Sequence, residues 1–275
     1  MDKVKRSERL AAMTRMLVDN PNKVLSYQVF CDRFKAAKST VSEDIALIQN
    51  ALSTYDLGQV TTVTGAAGGV RFRPLISWKE AQELLSMLAD KLNDPDRALP
   101  GGFLYSSDLL SNPEITRKMA CIIARPCYEL GVDFVLTMET KGIPVAMMTA
   151  EALNVPLVIA RRSSRVYEGS AVNISFPDGK GGIETMSLGR RAIAEGQRAL
   201  IVDDFIRNGG TALGMIELMK EFKTKVVGLS FVLAKERENP LSDLPEWPLI
   251  TFTGDGVKEP MKLKPAKWIF EQGDK

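Results

Sequence analysis

The sequence predicts a mixed α/β chain in two parts: a small helical head closed by a hairpin, and a larger body with a mainly parallel sheet covered by helices on both faces. Three observations point there. Apolar residues recur at helical spacing through the first 54 residues and then give way to a short alternating pattern. From about residue 112 onward, short and almost wholly apolar runs alternate with helical segments, as expected for strands buried on both sides. Charge divides the same way. Residues 1–74 hold 11 Lys and Arg against 7 Asp and Glu, or +4, and the rest of the chain comes to −2. A basic head suits an anionic partner such as nucleic acid. The expected domains are therefore 1–74 and 75–275.

In the head, "SERLAAMTRMLVDN" puts Leu10, Met13 and Leu17 on one side of a first helix, which Pro21 ends. "SYQVFCDRFKAAK" supplies a second, with Ser26 as N-cap and Val29, Phe30 and Phe34 facing inward. A third begins at "STVSEDIALIQNAL", where Thr40 and Glu43 have capping-box spacing and Val41, Ile45, Ile48 and Leu52 share a face. "QVTTVTGAAGGVRFRP" then reads as two alternating strands around a glycine-rich turn, with Arg71 and Arg73 on one side.

Three short helices and a hairpin make a winged helix-turn-helix. There the third helix enters the major groove, while the hairpin tip and its arginines touch backbone or minor groove. Lys38, Ser39, Thr40 and Ser42 would stand at the groove end, with Arg71 and Arg73 on the wing. The expected partner is double-stranded DNA, bound by a homodimer because recognition helices work in pairs on related half-sites. The alternative is a capped surface helix in which Ser39 and Thr40 serve only as caps.

The body opens with a helix near residues 77 to 92 and a Pro/Gly-rich connector. A helix at "NPEITRKMACIIARPCYEL" precedes the strand "VDFVLTM", the loop "ETKGIP", the helix "VAMMTAEALN" and the strand "VPLVIAR". A polar stretch with "PDGKGG" at its turn leads to the strand "ALIV", the helix "TALGMIELMKEF" and the strand "KVVGLSFVLAK". Residues 240 to 275 are assigned to a C-terminal cap.

Ligands of parallel sheets bind at the carboxyl ends of strands, and two loops stand there. In one, Asp203 and Asp204 lie where "ALIV" stops, and "RNGG" offers backbone N–H groups at the start of a helix opened by Thr211. Amides and a hydroxyl suit a phosphate; adjacent carboxylates suit sugar hydroxyls or Mg²⁺. Together they describe a phosphorylated ribose. Neither a P-loop nor a dinucleotide fingerprint is present. Histidine is absent from the whole chain, which rules out Ser-His-Asp and Cys-His catalysis and histidine metal ligands. Cys31, Cys121 and Cys127 lack C-x-x-C spacing and are expected to be reduced thiols. No apolar run reaches the ~18 residues that span a bilayer, and "MDKVKRSERL" lacks a signal-peptide core. A cytoplasmic protein without a membrane partner is expected.

"LIVDDFIRNGGT" resembles the phosphoribosyl-pyrophosphate (PRPP) signature of type I phosphoribosyltransferases, and "ETKGIP" is similar to their pyrophosphate loop. Phe205 and Asn208 are most similar to the xanthine branch. The resemblance implies that Asp203 and Asp204 hold the ribose hydroxyls. The amides from Arg207 through Asn208, Gly209 and Gly210 to Thr211, with the Thr211 hydroxyl, would hold the 5′-phosphate. Thr140, Lys141 and Gly142 would meet pyrophosphate with Mg²⁺. The stretch from Arg161 to about Arg191 would be the mobile loop or hairpin that closes over PRPP.

Joined to the head, the chain resembles the purine operon repressor family of Gram-positive bacteria. That implies a regulator with no catalytic residue, no resident metal and no catalytic cofactor. PRPP would be its effector, and guanosine tetraphosphate and other purine nucleotides are candidate competitors for the pocket. Arg207 stands where the enzymes usually carry a small residue. The alternatives are an active, xanthine-type phosphoribosyltransferase with a regulatory head, and an enzyme whose head binds protein.

Overall fold

In the computed structural model the described residues are 4–65, 68–163, 169–177 and 182–272. The chain divides into two compact units, Met1–Ser77 with Ala152–Asn154, and Trp78–Glu151 with Val155–Lys275.

The first unit runs α1 (Arg6–Val18), α2 (Tyr27–Phe34), α3 (Lys38–Thr54), β1 (Gln59–Val63) and β2 (Gly69–Arg73). Met13 and Leu17 of α1, Phe30 of α2, Val41, Ile45, Ile48 and Leu52 of α3, and Val60, Val70 and Phe72 of the hairpin form one core. β1 and β2 pair antiparallel, with Thr61 opposite Arg71 and Gln59 opposite Arg73. A third segment joins them: the Leu25 and Val70 backbones exchange hydrogen bonds at 2.8 and 2.9 Å. Gly69 permits this, because a Cβ there would overlap the Leu25 backbone.

Three local expectations change. α3 starts at Lys38, with Ala37 as an N-cap that offers no side-chain bond. Thr40 is therefore inside the helix and closes no capping box. Ser26 does stand at the N-cap of α2, but its side chain makes no cap bond. Val29 is 43% exposed: once Phe30 and Phe34 set the inner face four residues apart, their neighbour falls on the flank. Asp44 of α3 is buried, and accepts from Arg9 Nε at 2.5 Å and Arg6 Nε at 3.0 Å. Burial alone would raise its carboxyl, but the hydrogen bonds and charges of Arg9 and Arg6 outweigh burial and hold it below the ordinary value.

The second unit contains α4 (Trp78–Leu92), β3 (Ala98–Leu99), β4 (Phe103–Leu104), α5 (Ser107–Leu110), α6 (Pro113–Ala124), β5 (Phe134–Met138), α7 (Ile143–Leu153) and β6 (Leu157–Ala160). There follow β7 (Ala171–Pro177), β8 (Ile183–Gly189), β9 (Arg198–Ile206), α8 (Gly210–Glu221), β10 (Lys225–Lys235), β11 (Ile250–Thr253), β12 (Lys262–Pro265) and α9 (Lys267–Phe270). Among the described residues the main sheet has the order β12-β11-β10-β9-β5-β6. Every pairing in it is parallel except β11 with β12. α8 packs on β7, β9 and β10, and α4 packs on β12 and α9. Residues 240 to 275 are therefore more than a cap, since they add two strands to the main sheet. Trp268 of α9 meets Trp78 of α4 edge-on at 5.9 Å, and the Arg125 guanidinium lies 4.0 Å over the Trp78 ring.

The segment compared above with a mobile closing element is a docked hairpin over its described part. Val172, Phe176, Met186 and Leu188 of β7 and β8 belong to the main core. A Cβ on Gly214 of α8 would come within 2.9 to 3.2 Å of the Phe176 ring. The turn 178–181 and residues 164–168 lie outside the described residues.

Candidate functional site

The second unit has a cleft of about 440 Å³ at the carboxyl ends of β5, β9 and β10. Thr140, Lys141, Asp203, Asp204, Phe205, Arg207, Asn208, Gly209, Gly210 and Thr211 all line it. Gly142 lies behind Thr140 and Lys141; a Cβ on it would overlap the Asp203 carboxylate and press on Thr137. Only glycine lets the 139–142 loop lie this close to the acids.

β9 does not stop before the acids, as the sequence pattern suggested. It continues to Ile206, still paired with β10 as far as Ala234, while its pairing with β5 ends at Ile201. Asp203 is therefore held by strand backbone at the point where β5 has parted from β9. Its Oδ1 accepts from the Asp204 backbone N–H at 3.0 Å and from Thr137 Oγ1 at 3.4 Å. Burial, then the neighbouring charge of Asp204, pushes the Asp203 carboxyl well above its ordinary value. Asp204 is raised too, again chiefly by burial, with Lys141 pulling the other way.

α8 begins at Gly210 after Gly209 in the left-handed region, φ 84°, and no side chain caps it. Gly209, Gly210, Thr211 and Ala212 at this N-terminus line the cleft, and first-turn amides without a side-chain cap are of the kind that can donate to an anion. The Arg207 side chain takes another direction. Its Nη2 donates to the Gly102 carbonyl, and its guanidinium carbon lies 5.5 Å from the centroid of the Phe205 ring, which stacks on Phe252 at 5.2 Å.

Several cleft residues were passed over in the sequence. Glu139 and Arg162 line it, as do Gly101, Gly102 and Phe103 at the turn between β3 and β4. Glu139 accepts from Arg161 Nη1 at 3.2 Å and from the Arg162 backbone at 2.9 Å; Arg162 also pairs with Glu184 of β8 at 2.5 Å. The sequence signal for this turn is "PGGF" within the Pro/Gly-rich connector. Its glycines take φ of 79° and 72°. Among the described residues no group of three or more His, Cys, Asp or Glu could hold a metal ion by itself.

In the first unit Lys38, Ser39 and Ser42 are exposed in the opening turns of α3, and Thr40 is half-buried. Arg71 and Arg73 are half-buried on β2, towards the open end of the hairpin rather than its turn. Cys121 and Cys127 are buried free thiols, and burial raises both, to about 11 and about 12. No helix among the described residues is long and apolar enough to cross a membrane.

Residues 5–74 match the family model "Bacterial purine repressor, N-terminal", and residues 106–259 match the phosphoribosyl transferase domain. The chain is 40% identical over 258 residues to the probable purine biosynthesis transcriptional regulator PurR of Streptococcus pneumoniae, covering 93% of this chain and 94% of that one. It is also 40% identical to the Bacillus subtilis repressor PurR, covering 85% and 82%, and to the Lactococcus lactis activator PurR, covering 84% and 85%. A xanthine phosphoribosyltransferase of Lactococcus lactis is 31% identical over 156 residues, 55% of this chain and 79% of that one. Among solved structures, adenine phosphoribosyltransferase from Thermoanaerobacter pseudethanolicus matches 60% of this chain and 99% of its own at a TM-score of 0.53 and 19% identity, a likeness of fold alone.

Proposed function

Because the chain belongs to the PurR family of purine biosynthesis regulators, we propose that it is a DNA-binding transcriptional regulator, a repressor, released from its operator by PRPP. In this reading the phosphoribosyltransferase-like cleft senses PRPP without consuming it. The observation that carries it is the pairing of buried Asp203 and half-buried Asp204 with an uncapped helix N-terminus in one cleft. Asp203 and Asp204 would accept the ribose hydroxyls, the amides from Arg207 to Thr211 the 5′-phosphate, and Thr140 and Lys141 the pyrophosphate. Mg²⁺ fits this donor set: the acids supply hard oxygens, too few to cage the ion without the effector's own phosphates.

A sensing role is supported by relatives named as regulators matching nearly the whole chain, where the named enzymes match little over half. On the DNA side, Lys38, Ser39, Thr40 and Ser42 would meet bases and phosphates from α3, with Arg71 and Arg73 on the wing, as a homodimer in the cytoplasm.

The test is a gel shift on DNA from upstream of a purine biosynthesis operon, with and without PRPP. Retardation relieved by PRPP is expected; retardation indifferent to PRPP rejects the effector, and no retardation rejects the DNA role. A second reading, an active xanthine-type enzyme, is favoured by the xanthine phosphoribosyltransferase match. Nucleotide formed from PRPP, Mg²⁺ and a purine base would establish it.

A further inference from the structure

We propose that the turn between α2 and α3, through Arg33 and Lys35 together with Lys38, is the main clamp of the head on the DNA sugar-phosphate backbone. This rests on the DNA-binding reading above and adds two residues and a location to it.

Elimination carries the first step. Arg6 and Arg9 are drawn to Asp44, and Arg6 also reaches Glu43; Arg15 pairs with Asp19 at 2.7 Å. Arg71 and Arg73 are half-buried, with their Nε atoms out of solvent. Lys5 and Lys23 stand singly in other segments. Arg33, Lys35 and Lys38 fall within six residues, all are exposed, and none forms an ion pair among the described residues. Asp32, the acid beside them, has its carboxylate bonded to Gln28 at 2.7 Å. Among the described residues of this unit, the densest group of exposed cations without an ion pair therefore lies at the turn that leads into α3, net +2 after Asp32.

The local backbone agrees. Lys35 sits in the left-handed region at φ 49° and ψ 43°, where glycine or asparagine fits with less strain. A lysine there turns its ammonium outward while the chain reverses between the two helices. Lys38 is steadied by the Tyr27 ring, 5.8 Å below its Nζ. A flexible cation pair ahead of a groove helix matches phosphates, which position a protein on the duplex without reading its sequence. The described turn residues of the hairpin carry no charge, so the cations of the wing are Arg71 and Arg73, half-buried on β2.

The test is a salt titration of DNA affinity by fluorescence anisotropy with the full chain, on a purine-operon duplex and on a scrambled duplex. Each phosphate contact contributes about 0.9 to the slope of log affinity against log salt. Arg33→Ala with Lys35→Ala should flatten that slope by about 2 and weaken both duplexes by the same factor, at least about tenfold at low salt. Lys35→Gly relieves the left-handed position, so it should melt no lower than the native chain while losing about 0.9 of slope, which separates a lost contact from a lost fold. A native slope in either variant overturns the clamp, as does weakening confined to the operator duplex. If the native chain binds neither duplex, the DNA-binding reading fails instead.

Discussion

Asp203 shows how a cleft residue can cost its fold stability. The residue is 7% exposed, and its carboxyl is raised by burial and then by Asp204. Its folded value lies above the unfolded one, so the native chain holds this proton more tightly than the unfolded chain does. The native state is favoured most where the proton is on, and stability falls as pH rises from the ordinary carboxylate range towards the raised value. Asp203→Asn should therefore raise the melting temperature of the second unit at neutral pH, by about 2–4 °C for each kcal/mol relieved. Calorimetry reads this, and an unchanged or lower Tm would reject it. The opposite sign should govern the proposed effector: a ribose diol needs the ionised pair, so PRPP affinity should strengthen as pH rises and level off once both acids are charged. The substitution should both weaken binding and flatten that profile.

At the scale of elements, the β7–β8 hairpin is an arm fixed by Phe176 against Gly214 of α8, whose first turn faces the cleft. Gly214→Leu would drive a side chain into that ring. Overpacking of this kind costs about 1–3 kcal/mol, and chemical denaturation should show the midpoint falling accordingly; an unchanged midpoint would mean the hairpin gives way freely. The sequence made α3 legible by its helical apolar period, β5 and β10 by near-continuous apolar runs, and α7 and α8 as the helical segments between such runs. It hid other features for physical reasons. The end of β9 disguised itself, since Asp203 and Asp204 are poor strand formers that only the pairing with β10 keeps extended. β12 reads "KLKP", with a single apolar residue, and is a strand only because β11 stands beside it. The acidic pair and the glycine-bearing loop after it were legible as a candidate site because they are contiguous in sequence; the turn at Gly101 and Gly102 was not, because it reaches the cleft by tertiary folding alone.

For the whole molecule, the proposed coupling of PRPP and DNA is a question of thermodynamics. If PRPP acts by linkage, saturating PRPP should weaken DNA binding by a finite factor, and saturating DNA should weaken PRPP binding by that same factor. Anisotropy for one ligand and calorimetry for the other give the two numbers. Direct competition behaves differently, because DNA affinity then declines without limit as PRPP rises. Unequal plateaus would reject linkage between two sites.

The edge-on pair of Trp78 and Trp268 gives the molecule a built-in optical label. Its three tryptophans, at 78, 247 and 268, all fall in the second unit, whereas Tyr27 and Tyr55 belong to the first. Tryptophan-selective emission therefore follows the melting of the body alone, and two indoles held 5.9 Å apart at 87° should lend it a coupled near-ultraviolet dichroism. That signal would vanish when α9 peels from α4, while the helices of the head went on absorbing in the far ultraviolet.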